Sequence, residues 1–146
     1  MSSAPPLKRR ALLLLSCALL LLSACGVGEK RSGLPAGAQS SIDDITADIA
    51  RGDFAKVYTD AADEWRQTAS ADESHANLER IRSALGGVLS RAQLSAQERE
   101  AREGRTLVVS YNTKFERADA IETFTLVERS GRWLLARYAV NSNALK

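Results

Sequence analysis

The chain reads as an α+β protein, and three observations predict it. Apolar residues recur at helical spacing between Ser40 and Leu85, the period changes to two from Arg105 onward, and Ser130-Gly131 joins two β-rich runs as a hairpin turn. Helices followed by a run of strands pack as one layer on an antiparallel sheet, here about three N-terminal helices on about four strands. A length of 146 residues suits a single domain of this kind.

The first stretch stands apart from that domain. Lys8, Arg9 and Arg10 precede an almost unbroken apolar run from Ala11 to Leu22, too short to span a bilayer permanently, which takes roughly 20 apolar residues. Leu22-Ser23-Ala24-Cys25 follows, small residues before a cysteine. The pattern resembles the bacterial lipobox, which implies cleavage before Cys25 and lipid on its thiol and new amine. An ordinary secretory peptide cut near Ala24, with Cys25 incidental, is the plainer alternative. Two or more acyl chains hold stably where one holds only marginally, so the membrane is the expected partner. Gly26, rather than the aspartate that commonly retains bacterial lipoproteins in the inner membrane, points to the periplasmic side of the outer membrane in a two-membrane source. The organisation expected is therefore a leader over 1–24, a flexible tether over 25–39 and one domain over 40–146.

Charge and cysteine count narrow the function. Three of the 20 basic residues leave with the leader and none of the 18 acidic ones, so the remainder carries 17 basic against 18 acidic. The basic balance belongs to the precursor, and no basic stripe argues for nucleic acid. Cys25 is the only cysteine after cleavage, which excludes an intramolecular disulfide, and with His75 the only histidine no zinc site is expected. Neither a cofactor nor a metal is called for.

The elements follow in order. Gly26, Gly28, Gly33, Pro35 and Gly37 among polar residues suit a tether. Ser40 or Ser41 is the expected N-cap of a helix carrying Ile42, Ile45 and Ile49, stopped by Gly52. Asp53 caps a second helix with a stripe of Phe54, Val57, Tyr58, Ala61, Ala62 and Trp65. A third begins near Asp72 or Ser74, carries Leu78, Ile81 and Leu85, and ends at Gly86-Gly87. Strands follow over 105–116, 120–129 and 132–140. The segment 88–103 is ambiguous: Val88 to Leu94 suits a strand, whereas Ser95 to Glu98 forms a capping box and 99–103 favours helix.

The hairpin loop implies a register. A two-residue loop pairs Arg129 with Arg132, Leu126 with Leu135, Phe124 with Arg137 and Glu122 with Ala139. Glu122 and Arg137 are then diagonal neighbours on one face, within reach of each other. The other face would hold Ile121, Thr123, Thr125 and Val127 against Val140, Tyr138, Ala136 and Leu134, making both faces largely apolar. A single helical layer covers one of them, which leaves the other for a second subunit, the N-terminal helix or a ligand.

Several short motifs carry a resemblance. Gly52-Asp53-Phe54 with Tyr58 and Trp65, Arg82-Ser83-Ala84-Leu85-Gly86 with Arg91, Leu107 to Tyr111, Glu122-Thr123-Phe124, and Gly131-Arg132-Trp133 with Tyr138 resemble a family of small exported bacterial proteins of unknown function. The likeness runs from about Ile45 to Val140. That family is similar in predicted architecture to the nuclear transport factor 2-like, or cystatin-like, superfamily, which implies helices cradled by a curved antiparallel sheet in a cone. It also implies a strand from Val88 to about Arg99, overriding the capping box. No reaction follows, because this fold hosts enzymes, binders and assembly modules alike.

Two functions from different classes remain. An enzyme would need proton-transfer groups in the cone, for which Tyr111 and Glu122 are the candidates; His75 sits at a polar helix start and suits solvent. A non-enzymatic binding module would use the cavity for a small apolar molecule, or a face for an envelope protein or a second copy. Glu122 with Arg137 would be a polar anchor or a compensated pair, Trp65 and Trp133 suit the core, and Arg82 and Arg91 suit the negative end of the preceding helix. The binding module is the expectation.

Overall fold

A computed structural model describes residues 33–146; the leader, Cys25 and the first part of the expected tether lie outside the described residues. The α+β expectation holds: four helices, α1 (Ala38–Arg51), α2 (Phe54–Asp60), α3 (Asp63–Thr68) and α4 (Ala71–Leu85), precede four strands. These are β1 (Val88–Ala101), β2 (Gly104–Phe115), β3 (Asp119–Arg129) and β4 (Arg132–Asn141), paired antiparallel in sequence order. No described helix is long and apolar enough to cross a membrane.

The segment expected as tether is partly built into the domain. Leu34 packs against the core, Ala38 is fully buried, and the Trp133 indole N–H donates to the Ala36 carbonyl at 3.2 Å. Helix α1 therefore begins two residues before Ser40, from Gly37 in the left-handed region (φ 80°). Neither serine caps it; the Ser40 hydroxyl instead donates back to the Gly37 carbonyl.

The second helix is broken in two. Ala61 and Ala62 are extended because the Ala62 N–H donates to the Leu135 carbonyl on β4 at 2.9 Å, which a continuous helix would have used internally. The break keeps Phe54, Val57, Ala61 and Trp65 in the core. The same bond occupies one carbonyl on the outer edge of β4.

Helix α4 starts at Ala71 with a capping box at Ser70 and Glu73, one residue before Asp72, the earlier of the two expected starts. Ser70→Ala is expected to cost about 1 kcal/mol in chemical denaturation. The Ser70 backbone N–H, then its hydroxyl, hold the Glu73 carboxyl below its ordinary value of 4.5. A carboxyl depressed on folding stabilises above its unfolded value, and that contribution fades as pH falls through the folded one. The gap between wild type and variant should therefore narrow as unfolding is measured at progressively more acid pH.

The ambiguous segment is strand throughout, paired with β2 from Val88 to Ala101. A helix over 95–103 would present only alanines to the core, whereas the strand continues the β1–β2 ladder along one edge. The ladder is interrupted three times, leaving Leu89, Leu94 and Ala136 each as one extra residue in their strands. Such bulges bend and twist a sheet locally. The Ser130-Gly131 turn forms as expected, both residues in the left-handed region (φ 51° and 76°), with Arg129 opposite Arg132 and Leu126 opposite Leu135.

The inner sheet face supplies Leu107, Val109, Tyr111, Phe124, Leu126, Leu135 and Tyr138 to the core. Both tryptophans are buried there, and the Trp65 indole donates to Ser74 Oγ at 3.0 Å. The outer face is more polar than expected. Arg137 and Asn141 sit there in place of Tyr138 and Val140, beside Ser110, Thr123 and Thr125, while Val108, Val127 and Leu134 remain on that face and Ile121 is exposed.

Candidate binding site

At the centre of the inner face lies a buried carboxylate. Glu122, on β3 opposite Tyr111 of β2 and Val140 of β4, is 1 % exposed. Its Oε1 accepts from the Tyr138 hydroxyl at 2.6 Å. Its Oε2 accepts from Arg91 Nε at 2.8 Å and from the Thr113 hydroxyl. Arg91 Nη2 stands 2.7 Å from the same oxygen, buried and in ion-pair contact, but too poorly aligned to make a second hydrogen bond. The guanidinium packs between aromatic faces, 5.5 Å from the Tyr111 centroid and 5.6 Å from that of Phe124.

Two bulges assemble this cluster. With Leu89 as the extra residue, Arg91 rather than Ser90 falls opposite Thr113 and faces inward. With Ala136 as the extra residue in β4, Tyr138 falls opposite Phe124, and Arg137 falls opposite Thr125 on the outer face, where it is exposed. The expected Glu122–Arg137 pair is thus not formed: the regular register that predicted it shifts by one residue between Leu135 and Arg137. Val140 and Tyr138 move to the inner face by the same shift. Arg91, expected at the helix end for its dipole, is instead the partner of Glu122.

Above the cluster, α1, the end of α4, the start of β1 and the β2–β3 turn border a half-open cavity of about 450 Å³. Arg91, Glu122 and Tyr138 form part of its wall, with Ile49, Ile81 and Phe115 as apolar lining and Arg82 and Arg117 also bordering it. Its size is that of an ordinary small-molecule pocket. At the α4 terminus Gly86 has φ 78°, and a Cβ there would come within 2.9 Å of Glu116 Cβ, so the close turn over the cavity requires glycine. Glu116 in turn accepts from the Gly87 N–H at 2.9 Å.

The electrostatics favour donors over bases. Desolvation, then the negative charge of Glu122, push the Tyr138 phenol well above its ordinary range, so it remains a hydrogen-bond donor. Burial raises the Tyr111 phenol as well. Tyr111 lies outside the cavity wall, under Arg91, and its hydroxyl reaches Gln39 at 3.5 Å. His75 is exposed and stacks edge-on against Phe54. Among the described residues, no cluster of His, Cys, Asp or Glu is placed to hold a metal.

The family model for "Protein of unknown function (DUF4019)" matches residues 43–138. The chain belongs to the DUF4019 family. No curated protein matches it. Among solved structures, the "Putative Scytalone Dehydratase" of Novosphingobium aromaticivorans DSM 12444 is similar at 13 % identity, over 73 % of this chain and 82 % of that one, with a TM-score of 0.44. At that level the likeness decides nothing about the chemistry of the DUF4019 domain.

Two partners of Glu122 in this DUF4019 domain escaped sequence reasoning. Tyr138 was assigned to the outer face by the regular register, and Thr113 looked like one more strand residue. The available signal was Thr113 itself, a polar residue on the alternating apolar face of β2 between Tyr111 and Phe115. A second buried acid, Asp48 on α1, was also missed. It pairs with Arg51 of its own helix and accepts from Lys56 Nζ at 2.9 Å, the latter tying α1 to α2; the bonds of Lys56 to Asp60, then to Asp48, raise its ammonium above the ordinary value.

Proposed function

We propose that this chain is a bacterial envelope lipoprotein, held to a membrane by lipid on Cys25, whose domain binds a small molecule in the inner cavity without transforming it. One observation carries the binding reading: the cavity wall holds a buried carboxylate, both of whose oxygens are already bonded to fixed donors. A general base must be free to take a proton within hydrogen-bond reach of its substrate. Glu122 is not free, and Tyr111 stands outside the cavity, so the proton-transfer alternative built on those two residues has less support than binding. A rigid, internally satisfied polar wall beside apolar lining suits recognition.

The test is native mass spectrometry of the mature chain purified from its own envelope. A co-purifying small molecule is expected, and it should be lost in Ala50→Trp, which fills the cavity from an exposed helix position. No bound molecule, or one retained by Ala50→Trp, would overturn the reading; co-purification of an envelope protein alone would place binding on a surface instead.

The anchor rests on the basic start, apolar run and Leu-Ser-Ala-Cys of the leader. A Cys25→Ala precursor is expected to lose acylation and membrane association. Unchanged mass and membrane retention would remove the anchor from the proposal. The periplasmic side of the outer membrane is the expected site where two membranes exist.

A further inference from the structure

Building on the cavity-binding reading, we infer that the ligand is an amphipathic molecule with one acidic head group, placed at Arg82, and an apolar body against Ile49, Ile81 and Phe115. The charges bordering the cavity carry the inference. Three arginines (82, 91 and 117) face two glutamates (116 and 122), an excess of one positive charge. Both acids are already engaged, Glu122 by Arg91, Thr113 and Tyr138, and Glu116 by the Gly87 N–H. Arg117 is engaged as well, donating to the Ser83 carbonyl at 2.5 Å.

Arg82 is the uncommitted cation. Among the described residues it has neither an acid within ion-pair distance nor a side-chain hydrogen bond. Its guanidinium nevertheless does not simply extend from α4. Nη1 would lie 3.6 Å from a Cβ added at Gly52, so the side chain lies across to the turn after α1, at the rim of the cavity. Arg91 borders the same cavity, but its charge is already paired with Glu122 and its Nη2 is buried against that carboxylate. A head group carrying one negative charge pairs with Arg82. A neutral polar group would leave the excess charge unbalanced.

The apolar lining excludes a small inorganic anion as the best fit. Ile49, Ile81 and Phe115 offer nothing to phosphate or sulfate, but they cover a hydrocarbon body. The chemistry required is therefore a singly charged acidic group, such as a carboxylate, on an alkyl chain or apolar ring.

The test compares octanoate with octanol by titration calorimetry, using the mature chain carrying Cys25→Ala. Octanoate is expected to bind roughly tenfold tighter than octanol, the scale of one charge-assisted hydrogen bond. Arg82→Ala should abolish that advantage by weakening octanoate binding, with thermal unfolding reporting that the variant, altered at an exposed position, is folded. Equal binding of octanol and octanoate, or an octanoate affinity indifferent to Arg82→Ala, would overturn the acidic head group and leave the cavity reading standing. Binding of neither would also overturn this inference, and the Ala50→Trp experiment then decides the cavity reading by itself.

Discussion

Glu122→Ala is expected to destabilise the domain by about 3–5 kcal/mol, the cost of leaving a buried charge without its partner. The Arg91 side chain is 16 % exposed and Glu122 only 1 %, so water cannot replace the lost carboxylate, and the Tyr138 hydroxyl loses its acceptor too. The alanine also leaves a cavity, so the single variant does not isolate the pair. The informative comparison is the double replacement Arg91→Met with Glu122→Leu, which removes both charges at similar volume and should be less destabilised than Glu122→Ala, although the Tyr138 and Thr113 hydroxyls still lose their acceptor. Urea denaturation of both single variants and the double variant gives the coupling. A Glu122→Ala cost below about 1 kcal/mol would mean that the cluster is solvated and that the site is misjudged.

Deleting Ala136 should be at least as damaging, with a loss of about 4 kcal/mol or more and failure to reach the native fold. Ala136 is the extra residue that shifts β4 against β3. Without it, the hairpin register fixed at Arg129 and Arg132 would bring Arg137 opposite Phe124 in the core and turn Tyr138 to the outer face. A buried guanidinium would replace a phenol, and Glu122 would lose its Oε1 donor. Ala136→Gly keeps the bulge and should cost no more than about 1 kcal/mol. Circular dichroism and thermal unfolding of the two variants separate register from side chain. A deletion variant as stable as the glycine variant would show that the bulge migrates along β4 and that the cluster does not depend on it.

Most of the fold was legible from the residues. The helical stripes, the change to period two and the Ser130-Gly131 turn correctly indicated α+β order, and Leu78, Ile81, Leu85, Leu107 and Val109 are in the core as their spacing required. Local propensity failed over 95–103, where a helix signal is overridden by pairing with β2, because backbone hydrogen bonds to a neighbouring strand outweigh a short helix without an apolar face. It failed again at Ala61 and Ala62, where a good helical stripe is interrupted by one hydrogen bond to β4. Both failures have one cause, a backbone hydrogen-bonding partner in another element.

The candidate site divides in the same way. Glu122 and Tyr111 share a strand pair that alternation alone could place on one face. Arg82 and Arg91 stood out near a helix end, but their roles did not. Which basic residue meets Glu122 depended on two bulges, and a bulge leaves almost no mark in composition: Leu89 and Ala136 are ordinary strand residues. Hydrophobic period and turn chemistry are local properties, so they specify element type, order and the buried face of each strand. Register beyond a bulge is a balance between whole strands packing on one core, and a shift of one residue exchanges Arg137 for Tyr138 beside the carboxylate. Tertiary packing therefore decided the partners of Glu122, while the order of helices and strands was already written in the periodicity of the chain.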